Sequence, residues 1–172
     1  MFVTGLRIRM GSIASKGSQA VSPAPPVFVF LGGACGPTTW RRDLAVPALK
    51  AAGVSYYNPQ VSEWHEGMIA EESRHKASAR MLLFVIGTET RALMSIAEAA
   101  YHIGKRGGEG IVLVLQSYPS SDADTPERVA EIADCNRARA YLGELAVEHN
   151  VPTHSAVEPA LARLIAQSLQ IS

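Results

Sequence analysis

Apolar and polar positions alternate in blocks along most of this chain. Unbroken apolar runs such as MLLFVI at 81–86 and GIVLVLQ at 110–116 are typical of strands that are buried on both faces. A similar run, Val27–Leu31, leads directly into a pair of glycines. Two shorter apolar segments, Val54–Tyr57 and Val151–His154, predict further strands. The pattern therefore predicts five strands.

Stretches with polar or helical periodicity separate these runs, and each predicts a helix. The first begins at Trp40 after a Thr39 cap, is disturbed by Pro47 and ends at Gly53. The others are predicted at roughly 65–79, 95–105, 126–149 and 158–169. Alternating strands and helices predict an α/β fold, a flavodoxin-like (Rossmann-like) doubly wound parallel sheet of order 2-1-3-4-5. Such sheets bind ligands beyond the carboxyl ends of their strands.

Length and charge limit the possible partners. The 172 residues suit one domain, assigned to residues 27–172. Sixteen basic and sixteen acidic residues give no net charge, so no nucleic-acid partner is expected and self-association is favoured. No apolar run is long enough to span a bilayer, so no membrane partner is expected. Residues 1–26, which contain Arg, Lys and Ser but no acid, predict either a disordered tail or an organelle-targeting segment of an otherwise cytoplasmic protein.

The loop after the first predicted strand, GGACG, is a candidate ligand site. Its spacing fits neither the dinucleotide fingerprint nor the phosphate-binding loop of nucleotide hydrolases. A backbone without side chains remains, which indicates either close approach of a ligand or simply a tight turn. Cys35 in this loop has no patterned histidine to act as its base, and the two cysteines predict free thiols.

The carboxylate of Glu98, in the helix after the third strand, is a candidate nucleophile. It would lie at the ligand-binding edge, where a carboxylate could attack the anomeric carbon of a sugar. The alternative is structural, because Ser95-x-x-Glu98 has the spacing of a capping box. His65-Glu66 lacks the second histidine of a zinc motif, so no metal is expected. The charged residues at 71–76 predict a solvated helix face.

Four segments follow one another along the chain in this order: VFLGGACGPTTWR, YYNPQVSEW, MLLFVI and MSIAEAAYHIGK. Together they resemble the nucleoside 2-deoxyribosyltransferase-like family, especially a divergent branch with GG-x-C, TWR, NP-x-x-x-W and SIAE elements. The resemblance covers about residues 27–116. It implies a flavodoxin-like fold, homo-oligomers whose sites are partly built by a neighbouring subunit, and cleavage of an N-glycosidic bond without a metal or redox cofactor.

The resemblance also assigns roles to residues. Glu98 matches the glutamate nucleophile, and Ser95 would orient or cap beside it. Arg41 or Arg80 near the pocket would favour a 5′-phosphate, since arginine pairs well with phosphate. The remaining positions would bind substrate: Gly32, Gly33, Trp40, Asn58, Trp64 and Asn136. Of these, Gly32 and Gly33 would contact the sugar, and Asn136 would reach the site from a neighbouring subunit.

The chain departs from the better-known transferases at two positions. Those proteins carry aspartates where this sequence has Arg80 and, approximately, Ala92. The missing groups help to place the sugar and to handle the proton on the departing base. Three hypotheses follow: transfer or hydrolysis at the N-glycosidic bond of nucleosides or their 5′-monophosphates, a nucleotide-sensing domain without turnover, and a structural oligomerisation domain.

Overall fold

Five short strands form the centre of the molecule. The computed structural model describes residues 26–61, 63, 65–122 and 124–170. The strands are β1 Val29–Gly33, β2 Tyr56–Tyr57, β3 Met81–Ile86, β4 Ile111–Leu115 and β5 Thr153–His154. They pair in parallel in the order β2-β1-β3-β4-β5. The predicted strand order and the doubly wound α/β fold are therefore confirmed.

Helices connect the strands. They are α1 Val46–Ala51, α2 Gly67–Ser78, α3 Leu93–Arg106, α4 Pro126–Glu148 and α5 Val157–Leu169. The predicted start of α4 is confirmed, because the Thr125 side chain accepts a hydrogen bond from the Arg128 backbone N–H at 3.2 Å. Among the described residues, no helix is long and apolar enough to cross a membrane.

The segment before Pro47 is a π-helical turn, Arg41–Ala45, rather than α-helix. The Val46 N–H closes this wide turn on the Arg41 carbonyl, and α1 begins at the same residue. Pro47 then occupies the first turn of α1, where the helix requires no backbone donor from it. The disturbance that the sequence predicts at Pro47 thus takes the form of a change of helix type.

The sheet buries a separate apolar layer on each face, as expected for parallel strands covered on both sides. Val29 and Leu31 of β1 pack toward α1 and α5, while Phe30 packs with residues of β3 toward α3 and α4. Residues 1–25 lie outside the described residues, so the predicted tail stays a prediction. The assignment of residues 27–172 to a single domain also stays a prediction.

Candidate active site

A cavity of about 560 Å³ opens at the carboxyl edge of the sheet. It lies between the end of β1, helix α2 and the first two turns of α3, which is where doubly wound sheets bind ligands. Three of the residues predicted for the site, Gly33, Ser95 and Glu98, meet there. The wall consists of backbone from the first loop, one face of α2 and the start of α3: Gly33, Ala34, Cys35, Ile69, Glu72, Lys76, Thr90, Ala92, Leu93, Met94, Ser95 and Glu98.

Glu98 occupies the second turn of α3 and is not a helix cap. Ala92, with a left-handed backbone of φ 56° and ψ 29°, precedes the helix, which begins at Leu93. Ser95 is therefore the third helical residue and is buried. The predicted capping box between Ser95 and Glu98 is wrong, since neither residue stands at its required position. The Glu98 side chain is 38% exposed, and it is available to a ligand.

Lys76 of α2 reaches this carboxylate across the cleft. Its Nζ lies 2.5 Å from Glu98 Oε1 and 3.4 Å from Glu72 Oε2, and its side chain is only 4% exposed. The predicted solvated face at 71–76 is therefore wrong for Lys76 and for the buried His75. Because a buried ammonium is costly without a charge partner, the pair with Glu98 is an organised contact rather than an incidental surface one.

A second cavity of about 440 Å³ lies beyond this ion pair, farther along the cleft between α2 and α3. Glu98 and Lys76 contribute to the walls of both cavities. The second cavity is also lined by Tyr101, His102 and Lys105, which sequence reasoning did not connect with a site. The carboxylate therefore stands at the junction of two spaces that a substrate could occupy.

Packing within the sheet requires both glycines of the predicted sugar pocket. Gly32 and Gly33 are the last residues of β1 and pair with Phe84 and Val85. A Cβ on Gly32 would lie 2.7 Å from the Phe84 ring, and one on Gly33 would lie 2.5 Å from the Val85 carbonyl oxygen. Gly33 also has φ +124°, which side chains rarely adopt. Of the two, Gly33 reaches the cavity wall, and their contact with a sugar stays a prediction.

Cys35 also lines the cavity, but its environment does not activate it. Burial raises the pKa of the Cys35 thiol above its usual value, although the charge of Arg41 opposes the shift. The nucleophilic form of cysteine is the thiolate, so a raised pKa makes Cys35 a poor nucleophile at neutral pH. This agrees with the absence of a patterned base in the sequence.

Arg41 and Trp40 support the first loop from behind and do not line the cavity. The fully buried Arg41 guanidinium donates to the carbonyls of Leu31, Gly33 and Ala34 at 2.8–3.0 Å. Trp40 is also buried, with its ring 4.4 Å from the Arg41 guanidinium carbon. The expectation that Arg41 binds substrate therefore finds no support in its geometry.

The other arginine proposed for a 5′-phosphate lies elsewhere. Arg80 precedes the amino end of β3, at the edge of the sheet opposite the cavity. With Arg41 committed to backbone carbonyls, neither guanidinium faces the space beside Glu98. Nothing in their positions indicates whether the substrate carries a phosphate.

The two predicted asparagines make contacts within the chain. Asn58 Oδ1 accepts a hydrogen bond from the Gln60 N–H at 3.0 Å, which shapes the loop after β2. Asn136 brackets the backbone of Tyr118, accepting from its N–H at 2.9 Å and donating to its carbonyl at 3.0 Å. Their roles toward a substrate stay predictions. Trp64 lies outside the described residues.

Arg139 is a site-supporting residue that sequence reasoning missed. It is 1% exposed and donates to the carbonyls of Gly87 and Thr90 in the loop after β3, and of Gln116 after β4. Its place inside the long helix α4 gave no sign of this role, because the helix pattern counts arginine as a surface residue. Across the described part of the chain, no group of three potential metal ligands is close enough to hold an ion.

These features define a class of protein: a flavodoxin-like α/β domain that presents a lysine-paired glutamate in a cleft at the carboxyl edge of its sheet. The family model described as nucleoside 2-deoxyribosyltransferase like matches residues 27–118, more than half of the chain, and the chain belongs to this family.

Comparison with individual proteins adds little to this assignment. No curated protein sequence matches the chain. The TIR domains in the structure of the activated Roq1 resistosome directly recognizing the pathogen effector XopQ are similar over 84% of this chain and 98% of theirs. Their sequence identity is 14% and the TM-score is 0.44, a level of likeness that carries no argument about function.

Proposed function

We propose that this protein cleaves the N-glycosidic bond of a nucleoside or a nucleoside 5′-monophosphate, with Glu98 as the nucleophile. The observation that carries the proposal is the position of the Glu98 carboxylate. It lies in the wall of the carboxyl-edge cavity, does not cap a helix and is paired with the Lys76 ammonium. Membership of the nucleoside 2-deoxyribosyltransferase-like family supports the same bond as the target.

The chemistry is a double displacement with retention at the anomeric carbon. A Glu98 oxygen bonds to this carbon while the carbon–nitrogen bond breaks, and the electron pair of that bond leaves with the base. The base takes a proton from water, which leaves a hydroxide in solution, and the sugar remains as an ester on Glu98. Attack by a second base gives a transferase, whereas attack by water gives a hydrolase. The two activities share the first step.

A nucleotide-binding domain without turnover is the second candidate function. Apart from Glu98, the acidic residue in the cavity wall is Glu72, and it is already paired with Lys76. The Cys35 thiol has a raised pKa and is a weak acid. The Lys76 ammonium in the same wall is engaged by both carboxylates, so a departing base meets no uncommitted proton donor among the described wall residues, and this favours binding over catalysis.

The test is a substrate panel with a variant of the nucleophile. The four 2′-deoxynucleosides and their 5′-monophosphates are incubated with the protein, with and without a free acceptor base. Exchange of bases supports a transferase, and free base alone supports a hydrolase. We expect Glu98→Gln to lower the rate by about 1,000-fold or more, because the amide is a far weaker nucleophile. A matched variant, Glu109→Gln, removes an exposed charge just beyond α3 and should keep full activity.

Two results would contradict the proposal. A Glu98→Gln protein that retains wild-type turnover would remove Glu98 from the chemistry. Thermal stabilisation of the wild-type protein by a nucleotide, with no release of base from any member of the panel, would support the binding domain instead.

A further inference from the structure

The Lys76 ammonium has two carboxylate partners, which lie on different helices and at different distances. Glu98, on α3, is 2.5 Å away, whereas Glu72, one turn earlier on α2, is 3.4 Å away. The aromatic ring of Phe30 lies below the ammonium, with its centre 5.2 Å from Nζ, so the charge sits on an apolar floor. The lysine is thus enclosed by the sheet on one side and by acids on the other.

Breaking such a contact is costly, because a charge without a partner in a buried place loses its hydration without compensation. In the double displacement proposed above, the Glu98 carboxylate becomes an ester and its negative charge disappears. If Glu98 were the sole partner, each catalytic cycle would leave the 4% exposed Lys76 side chain uncompensated. Glu72 removes this difficulty, since it keeps its carboxylate throughout and is already near Nζ.

We propose that Lys76 is a positioning residue shared between two carboxylates, which orients Glu98 for attack and is neutralised by Glu72 once Glu98 is esterified. The inference rests on the proposed function. Lys76 engages Glu98 Oε1, and among the described residues Glu98 Oε2 has no hydrogen-bond partner. Oε2 is therefore the oxygen that forms the bond to the anomeric carbon.

The charge balance is complete at each step. Before attack, two carboxylates share one ammonium, and the trio carries one negative charge. After attack, the Glu98 ester is neutral, and Lys76 and Glu72 form a neutral pair. The departing base has taken the bonding electron pair and then a proton from water, so the negative charge now resides on the hydroxide that this water leaves in solution. In the second step, the water or base that attacks the sugar loses a proton to this hydroxide. The Glu98 carboxylate is released from the sugar and pairs again with the ammonium.

The test compares Lys76→Met, Lys76→Arg and Glu72→Gln on the most rapidly cleaved member of the deoxynucleoside panel. We expect Lys76→Met to lower kcat about 100-fold with little change in KM, because misplacing a reacting group impairs the chemical step. Lys76→Arg should retain more activity, since it keeps the charge. Glu72→Gln should lower kcat about tenfold, a coupling typical of one salt-bridge network. It should also reduce the fraction of protein carrying the glycosyl ester, measured by intact mass spectrometry.

The control is Glu71→Gln, which removes a neighbouring, exposed charge from the same helix and should behave as wild type. Circular dichroism establishes whether each variant is folded. If Lys76→Met fails to fold, Glu72→Gln still tests the inference, because it leaves the buried Lys76 side chain in place. If Glu72→Gln and the folded Lys76 variants all keep the kcat and the ester occupancy of the wild-type protein, the inference is overturned. The proposed function is still supported in that case, provided that Glu98→Gln loses activity. An inactive wild-type protein would overturn both.

Discussion

His102 lies one helical turn beyond Glu98, with its ring stacked over Phe84 at 6.0 Å between centroids. Its Nδ1 is buried without a hydrogen-bond partner among the described residues. Burial is the main reason that its pKa falls from 6.5 to about 4, and the nearby positive charges add to the shift. The cations are Lys76, Arg106 and Lys105, and the Glu98 carboxylate opposes them. The folded protein therefore holds His102 neutral.

This shift predicts a loss of stability in acid. The unfolded chain binds a proton on His102 below about pH 6.5, whereas the folded protein does so only near pH 4. The contribution of His102 is therefore complete above pH 6.5 and is lost as the pH falls toward 4. We expect His102→Gln to flatten this part of the pH dependence in urea unfolding. The exposed His65→Gln is the control, and equal pH slopes for wild type and His102→Gln would contradict the prediction.

Sequence reasoning proposed Glu98 as a candidate site residue but did not identify the lysine that pairs with it, and the reason is physical. A hydrophobic pattern identifies buried positions by their apolar side chains, so a buried lysine reads as part of a solvated surface. A usable indication was nevertheless present. Lys76 follows Met68 by eight residues and His75 follows it by seven, which places all three on one helical face, and all three are buried. Position on that face, rather than polarity, indicated burial.

At the scale of elements, the carboxyl edge depends on two buried arginines, whose guanidinium groups donate hydrogen bonds to the backbone carbonyls of the loops. Arg41 holds the end of β1, and Arg139 joins the loops after β3 and β4. Removing such a donor leaves buried carbonyl oxygens without partners, which costs more than the net gain of an average hydrogen bond. The geometry of the site is thus fixed from inside the protein.

We expect Arg41→Lys to lower the free energy of unfolding by about 2–3 kcal/mol, because lysine cannot reproduce the planar set of donors. Arg42→Lys is the matched control, since the neighbouring Arg42 side chain is 76% exposed and should change stability by less than about 0.5 kcal/mol. Urea denaturation measures both. Equal stability of the two variants would show that the carbonyls of the first loop find other donors.

The element pattern was largely predictable, and its errors are local. Apolar runs gave all five strands, and Thr125 with Pro126 gave the start of α4. The start of α3 was missed because Ala92 adopts a left-handed backbone conformation, which is usually occupied by glycine or asparagine. Such a conformation is imposed by the surrounding loop and not by the residue itself.

At the scale of the whole molecule, the cavity has an apolar rim that a single chain leaves open to solvent. Ile69, Leu93 and Met94 line the cavity and are 58%, 61% and 74% exposed. Exposed apolar residues concentrated at one place mark interaction surfaces more often than isolated ones do. The chain also carries no net charge to oppose association. We therefore expect a homo-oligomer with the neighbouring subunit seated on this rim.

The prediction is tested by the mass of the particle in solution. The double variant Leu93→Glu with Met94→Glu should shift wild-type oligomers to a smaller species in light scattering, because buried charges oppose the contact. Val147→Glu, on α4 and also 74% exposed, is the control and should leave the mass unchanged. A monomeric wild-type protein, or dissociation by Val147→Glu alone, would contradict the placement of the interface.

The left-handed backbone at Ala92 has a consequence for redesign. Apart from glycine, asparagine and aspartate adopt this conformation most readily, so the backbone at position 92 is compatible with an acid. The side chain at this position is 7% exposed and packs in the apolar layer toward α3 and α4, so a carboxyl group there would have to turn into the cavity. Ala92 already lines the cavity that holds Glu98. One substitution would therefore bring a second carboxyl group close to Glu98, where it could protonate the departing base in the proposed reaction.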